Sequence, residues 1–169
     1  CVNVISEQAR KSNMHIVYTN LVGGQDALVF DGNSMVVNNN GNTIFHAPAF
    51  EEGLYNTTIS LSDKNSSKPI PDITQRLSEE ESIYKALVLG TKDYVEKNNF
   101  KGAAIGLSGG IDSALTLCIA ADALGPENVE VLIMPSRYTS NMSNEDACQQ
   151  AKLLNVQYEI ISIEQPFKA

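Results

Sequence analysis

A chain of 169 residues suffices for one ordinary domain or for pieces of two. Hydrophobic residues make up 43% and charged residues 19%, a balance that supports a packed core and argues against disorder. A net charge of −8 makes the chain a poor nucleic-acid binder, since that role needs a basic surface, but a nucleotide can still be held by backbone N–H groups and a metal.

No apolar run reaches the length of a membrane span and no signal-peptide pattern is present. Cys1, Cys118 and Cys148 are few, odd in number and without metal-ligand spacing. They read as free buried thiols in a reducing cytoplasm. The first residue is Cys rather than Met, which suggests a processed chain or an excised fragment, and the motifs below argue for a fragment.

Along the chain, Val2, Ile5 and Ala9 have helix-like spacing within residues 1–13. Residues 15–19 read as a strand and 20–26 as a loop bent at Gly23-Gly24. Residues 27–30 and 34–37 read as strands around the turn Asp31-Gly32-Asn33. Residues 38–41 form a second turn, 43–45 a third strand and 59–61 a last one. This β-rich portion, residues 1–61, gives way to a polar, proline-bearing linker over 62–75.

Residues 76–169 have a different rhythm. Ser78 followed by Glu81 fits a capping box, the Ser hydroxyl taking one free N–H and the Glu reaching back for another. The helix it starts carries Ile83, Leu87, Tyr94 and Val95 toward a core and fades at Asn98-Asn99. Residues 103–107 read as a buried strand, 113–124 as a helix stopped by Gly125-Pro126, and 129–134 as a second buried strand. Ser143 opens another helix running to Leu154, and 156–163 form a third strand. The order strand, loop, helix, strand, helix, strand predicts a parallel, doubly wound sheet. Three strands alone leave an unpaired edge and uncovered apolar surface, so more chain is expected beyond Ala169.

The strongest chemical signal is the run Gly106-Leu107-Ser108-Gly109-Gly110-Ile111-Asp112-Ser113 between a strand and a helix. Its glycines let the backbone approach a charged ligand and take positive φ. The following helix directs free N–H groups and a positive dipole end at an anion. Ser108 and Ser113 add hydroxyl donors. Asp112 repels phosphate unless a magnesium ion lies between them. No Lys follows the glycines, so this is not the P-loop of enzymes that cleave the γ-phosphate. Met134, Pro135 and Ser136 end the next strand, where ligands bind in open α/β sheets. Residues 137–143 would form a mobile loop over the ligand.

The pattern Ser108-Gly109-Gly110-Ile111-Asp112-Ser113 resembles the pyrophosphatase loop of the N-type ATP-pyrophosphatases, which cleave ATP between its α and β phosphates. Residues 81–97, this loop, residues 123–126 and residues 134–140 (Met-Pro-Ser-Arg-Tyr-Thr-Ser) are together similar to the synthetase domain of NAD synthetases, in its glutamine-using form. Residues 20–34, with Gly23-Gly24-Gln25-Asp26, resemble the nitrilase-type glutaminase domain of the same enzymes; Ala27 departs from the acidic residue expected there.

The resemblance implies an α/β fold: the carboxyl-terminal part of a nitrilase-like α/β sandwich, then the first half of a doubly wound parallel-sheet domain like that of the adenine nucleotide alpha hydrolases. It implies ATP-dependent amidation of deamido-NAD to NAD through an acyl-adenylate, with ammonia from glutamine and with Mg2+ as cofactor, in a homo-oligomer. Asp112 would hold magnesium, and Ser108, Gly109, Gly110 and Ser113 the leaving phosphates. Gly106, Leu107 and Ile111 complete the ATP-binding run, and Met134 and Ser136 would contact adenosine.

The glutaminase half should use a Glu-Lys-Cys triad. Cys1 lacks the residues expected just after the nucleophile, so it reads as an incidental thiol and the triad as lying outside the chain. His15 and His46 carry no partner pattern, and Glu51-Glu52 and Glu79 to Glu81 read as a solvated face and a helix start. Two other readings stand beside this one: another amidotransferase of the same loop family, making GMP or asparagine, and a non-catalytic nucleotide-binding fragment. The chain alone is expected to bind Mg-ATP weakly or not at all, and not to turn over.

Overall fold

The computed structural model describes residues 2–59 and 76–164. The expected linker and Cys1 lie outside the described residues, as does the strand expected at 59–61 apart from Ile59, which is irregular. Contacts divide the chain into two compact units, one of Cys1–Gly23 with Leu28–Ala86 and one of Gly24–Ala27 with Leu87–Ala169.

In the first unit, helix α1 (Val2–Ser12) carries Arg10 and Lys11 in its last turn, where cations suit the negative end of the helix. It buries Ala9 against Met35 and Val37. Strands β1 (Ile16–Tyr18), β4 (Met35–Val37) and β5 (Thr43–His46) form an antiparallel sheet in the order β1-β4-β5. All three residues of β4 are buried, as befits a central strand covered by α1. The turn into β5 is built by Asn38, whose side-chain oxygen accepts the N–H groups of Asn40 at 3.1 Å and Asn42 at 2.8 Å.

The stretch expected as a glycine-bent loop is instead strand β2 (Val22–Gln25), paired with β3 (Leu28–Asp31) in a two-stranded ribbon. Asp26, at φ 51°, turns the chain between them. Strands β3 and β4 therefore do not form the hairpin that Asp31-Gly32-Asn33 suggested. A hairpin there would have taken β4 out of the buried centre of its sheet.

His46 is 5% exposed. Burial holds its imidazole below the ordinary value of 6.5, the charge of Arg76 pushes the same way, and Asp31 opposes them. The folded unit thus favours the neutral ring. Stability gained this way is present above pH 6.5, where unfolded histidine is also neutral, and is lost as pH falls through the folded-state value. The melting temperature of the first unit, followed by circular dichroism, should fall between about pH 7.5 and about pH 5. His46→Gln should flatten that part of the profile.

Helix α2 (Glu79–Lys97) opens as the capping pattern requires, with the Glu81 N–H donating to Ser78 Oγ at 3.1 Å. The Glu81 carboxylate does not complete a box in this structure; it pairs with Lys85 at 3.2 Å. The expected core stripe is also not buried. Ile83, Leu87 and Tyr94 are 54%, 47% and 58% exposed, and no residue of α2 is buried. Helical spacing marks a face that wants cover; among the described residues that cover is partial, with the Tyr94 ring against Phe100 and Val95 half-buried.

The second unit holds the parallel sheet β6-β7-β8, built from β6 (Ala103–Gly106), β7 (Val129–Ile133) and β8 (Gln157–Ile160). Helix α3 (Ile111–Leu124) joins β6 to β7, and α4 (Asn141–Leu153) joins β7 to β8. Val129, Val131 and Ile133 are 1–2% exposed and face both helices, while Glu130 points to the other side. Ala120, Ala121, Ala147 and Ala151 face that core and let the helices lie close to the sheet. Gln150 on α4 donates to the Ala114 carbonyl on α3 at 2.8 Å, fixing the helices side by side. Gly125, at φ 83°, ends α3, and Pro126 prevents its continuation.

Residues Gly24–Ala27 belong to this second unit. The Gly24 N–H donates to Asp93 at 2.6 Å, and Lys97 Nζ donates to the Gly24 carbonyl at 2.6 Å and to Asp93 at 2.9 Å. Burial raises the Asp93 carboxyl, but the hydrogen bonds from Lys97 and Gly24 outweigh it and leave the group below its ordinary range. A side chain at Gly24 would press on the Gly90 backbone at 3.1 Å. That close approach is why a glycine stands within a strand.

Candidate nucleotide site

The site grows from the carboxyl end of β6. Leu107 extends the ladder by one bond, its N–H donating to the Leu132 carbonyl at 2.9 Å, and its side chain is 2% exposed in the core. This anchors the start of the loop. The chain then turns outward through Gly109, at φ 78°. A Cβ there would collide with the Ser143 carbonyl in the first turn of α4. Only glycine meets both conditions, left-handed backbone and a bare α-carbon.

Gly110 caps α3 in an extended conformation, so the helix starts at Ile111, two residues earlier than its apolar spacing suggests. Asp112 therefore sits inside the first turn, exposed. The loop braces itself. Ser108 Oγ and Ser113 Oγ are 3.0 Å apart, Ser113 Oγ donates to the Gly110 carbonyl at 2.9 Å, and the Ser108 and Gly110 N–H groups donate to Ser113 Oγ and Ser108 Oγ, each at 3.3 Å. The first-turn N–H groups of α3 have no intrahelical acceptor and face outward from the helix end.

Two residues from beyond β7 meet this loop. Met134 lies across Gly106, its methyl carbon 3.1 Å from where a Cβ would sit. Ser143 supports Gly109 from α4, which Ser140 caps by accepting the Ser143 N–H at 3.0 Å. The helix thus opens three residues before the expected Ser143. Ser136 is tied into a turn of its own, its N–H donating to Thr139 Oγ1 at 3.0 Å and its Oγ accepting from Tyr138 at 3.2 Å. Of the stretch 137–143 expected as a loop, residues 136–139 form this hydrogen-bonded turn and 141–143 the first turn of α4. Arg137 is further held by Glu164.

Sequence reasoning missed Thr139, the Ser143 carbonyl and Glu164. Thr139 lies within the 134–140 run but nothing in the run marks its bond to Ser136, Glu164 follows no motif, and only the φ demanded at Gly109 hinted at a close backbone neighbour such as Ser143. Cys118 and Cys148 are free and half-buried. Among the described residues no three His, Cys, Asp or Glu side chains gather to hold a metal, and no helix is long and apolar enough to cross a membrane. Magnesium commonly uses one or two carboxylates, several waters and the phosphates of its substrate. A lone exposed Asp112 beside an anion-directed helix end fits that donor set, and does not fit a metal site made by protein alone.

Comparison with known proteins decides the family. Residues 83–169 match the model of the family described as NAD synthase. The chain belongs to the NAD synthase family. A glutamine-dependent NAD(+) synthetase of Acinetobacter baylyi is 45% identical over 162 residues, which is 96% of this chain and 30% of that protein. One from Aquifex aeolicus is 37% identical, over 98% of this chain and 34% of its own length. The chain thus spans about a third of the curated relatives it matches.

Among solved structures, a glutamine-dependent NAD+ synthetase from Acinetobacter baumannii, in complex with adenosine diphosphate, superposes with a TM-score of 0.90 at 43% identity. It covers 99% of this chain and 31% of that one. An NH3-dependent NAD synthetase from Campylobacter jejuni, 33% identical, matches 54% of this chain with a TM-score of 0.51. The likeness to the NAD synthase family therefore reaches across nearly the whole chain for the glutamine-dependent members, and across about half for this ammonia-dependent one.

Proposed function

We propose that this chain is the central segment of a glutamine-dependent NAD synthetase, with residues 1–61 from its glutaminase domain, 62–75 as linker and 76–169 from its synthetase domain. The observation that carries this reading is the self-braced loop 108–113 between β6 and α3, in a chain matched end to end by glutamine-dependent relatives.

In this reading ATP lies across the carboxyl end of the sheet, its phosphates on the loop and its adenosine beside Met134 and Ser136. The nicotinate carboxylate of deamido-NAD attacks the α-phosphorus. A new O–P bond forms, the bond to the bridging oxygen breaks, and pyrophosphate leaves. Ammonia drawn from glutamine then attacks the acyl carbon, AMP departs, and the amide of NAD remains after loss of a proton. The loop N–H groups and the α3 end stabilise charge as it builds on pyrophosphate. Ser108 and Ser113 orient that group through hydroxyls already fixed by each other. Asp112 would hold magnesium, which neutralises phosphate charge when bound. The same reading makes the enzyme a cytoplasmic homo-oligomer and leaves this segment alone inactive.

The test is pyrophosphate release from Mg-ATP by the complete gene product, with glutamine and one of three acceptors: deamido-NAD, xanthosine monophosphate or aspartate. Release with deamido-NAD alone is expected. Release with another acceptor would keep the loop chemistry and overturn the assigned substrate, and no release with any would overturn the ligase reading.

A further inference from the structure

Beyond their strand ends, β7 and β8 stay joined. The Ile161 N–H donates to the Ile133 carbonyl at 2.9 Å, and the Ile163 N–H to the Pro135 carbonyl at 3.2 Å. These bonds carry Glu164 alongside the chain leaving β7. There its carboxylate holds one residue twice. Oε1 accepts Arg137 Nε at 2.7 Å and also Nη2, while Oε2 accepts the Arg137 backbone N–H at 3.2 Å. The segment from 134 to 139 is thus held at Met134, across Gly106, and at Arg137, on Glu164, and the Ser136–Thr139 bonds close a turn around Arg137.

The side chains of Arg137 and Glu164 are 46% and 29% exposed. Ion pairs at that exposure add little to stability, but a planar guanidinium gripped together with its own backbone N–H defines direction. We infer that Glu164 is a positioning residue for the nucleoside triphosphate site: by gripping Arg137 it sets the 134–139 segment, and with it Met134, against the phosphate loop. This rests on the ATP reading of that loop. Arg137 acts here as the handle that Glu164 holds, by its guanidinium and its backbone N–H together, and not as a phosphate ligand.

Glu164→Gln, Arg137→Lys, Arg137→Met and the double variant Arg137→Met/Glu164→Gln are to be made in the complete gene product. Amide exchange of residues 136–140 is followed by mass spectrometry, alongside steady-state kinetics with ATP, deamido-NAD and glutamine. Expected in Glu164→Gln are faster exchange at 136–140, a KM for ATP raised about 3- to 10-fold by the lost orientation, and an unchanged KM for glutamine and melting temperature. Arg137→Lys keeps the charge without the fork and should behave the same way. The double variant should be no worse than either single one, because the residues act as a unit.

Unchanged exchange in Glu164→Gln overturns the inference. So does a far greater loss in Arg137→Met than in Glu164→Gln, which would make Arg137 a direct ligand. Wild-type enzyme that consumes no ATP would sink the ATP reading alone, since the exchange measurement decides the grip without turnover.

Discussion

Asp112→Ala in the complete gene product is expected to lower pyrophosphate release by about 10²- to 10³-fold, the rate equivalent of the several kcal/mol a phosphate-bound metal supplies, and to leave the second unit folded. The carboxylate is exposed in the first turn of α3. Its favourable interaction with the helix end is worth only about 0.3–1 kcal/mol, so its removal does not threaten the fold. Beside a bound phosphate its carboxylate would be unfavourable without a metal between them, because two negative groups would meet there. Asp112→Asn removes the charge at constant shape and should lose nearly as much. Rates measured across a magnesium titration separate the alternatives. A metal ligand shifts the magnesium dependence, and activity within about threefold of wild type, under one kcal/mol, would show that Asp112 is not that ligand.

Gly109→Val is expected to abolish ATP binding and to lower the melting temperature of the second unit. Left-handed backbone costs a residue with a side chain roughly 1–2 kcal/mol, and a β-branched one is especially poor there. The collision adds to this, since the obstacle is the backbone carbonyl of Ser143 inside a helix, which cannot swing away. Relief requires the loop to lift from α4, which breaks the spacing of Ser108 and Ser113. A drop on the order of 5 °C corresponds to the strain for a unit of this size. Calorimetry with and without Mg-ATP is the check. A variant that melts like wild type and still gains stability from ATP would show that the turn at Gly109 is not required. Gly110→Ala is the contrast, since Gly110 is extended and its Cβ would meet only the Ser108 hydroxyl, at 3.3 Å. It should be far milder.

The strand, loop and helix around the candidate nucleotide site were legible because the residues that shape them are local. Gly109, Gly110 and Asp112 sit within four residues, between a strand and a helix whose periods differ. What was misread depends on distant partners. Gly23-Gly24 looked like a bend because glycine pairs usually are one, yet Gly24 is bare to admit the backbone of Gly90, 66 positions on. Asp31-Gly32-Asn33 has hairpin chemistry, but the buried place of β4 between β1 and β5 decided the pairing. Gly110 hid the true start of α3, because capping there uses backbone shape and no side chain. Ile83, Leu87 and Tyr94 announced a face needing cover, and spacing alone could not say what covers it. Glu164 lies 27 positions from Arg137 and carries no motif at all.

The assignment of Gly24–Ala27 to the second unit has a consequence for dividing this polypeptide. A gene trimmed to start at residue 76 would leave out Gly24–Ala27, which share this unit's contacts. Asp93 and Lys97 would keep each other but lose the Gly24 N–H and carbonyl that both now engage. A bare glycine surface at Gly90 would face water where a strand edge now rests. By its contacts the unit is discontinuous along the chain, so a segment carrying Gly24–Ala27 together with 87–169 is expected to be the more stable one.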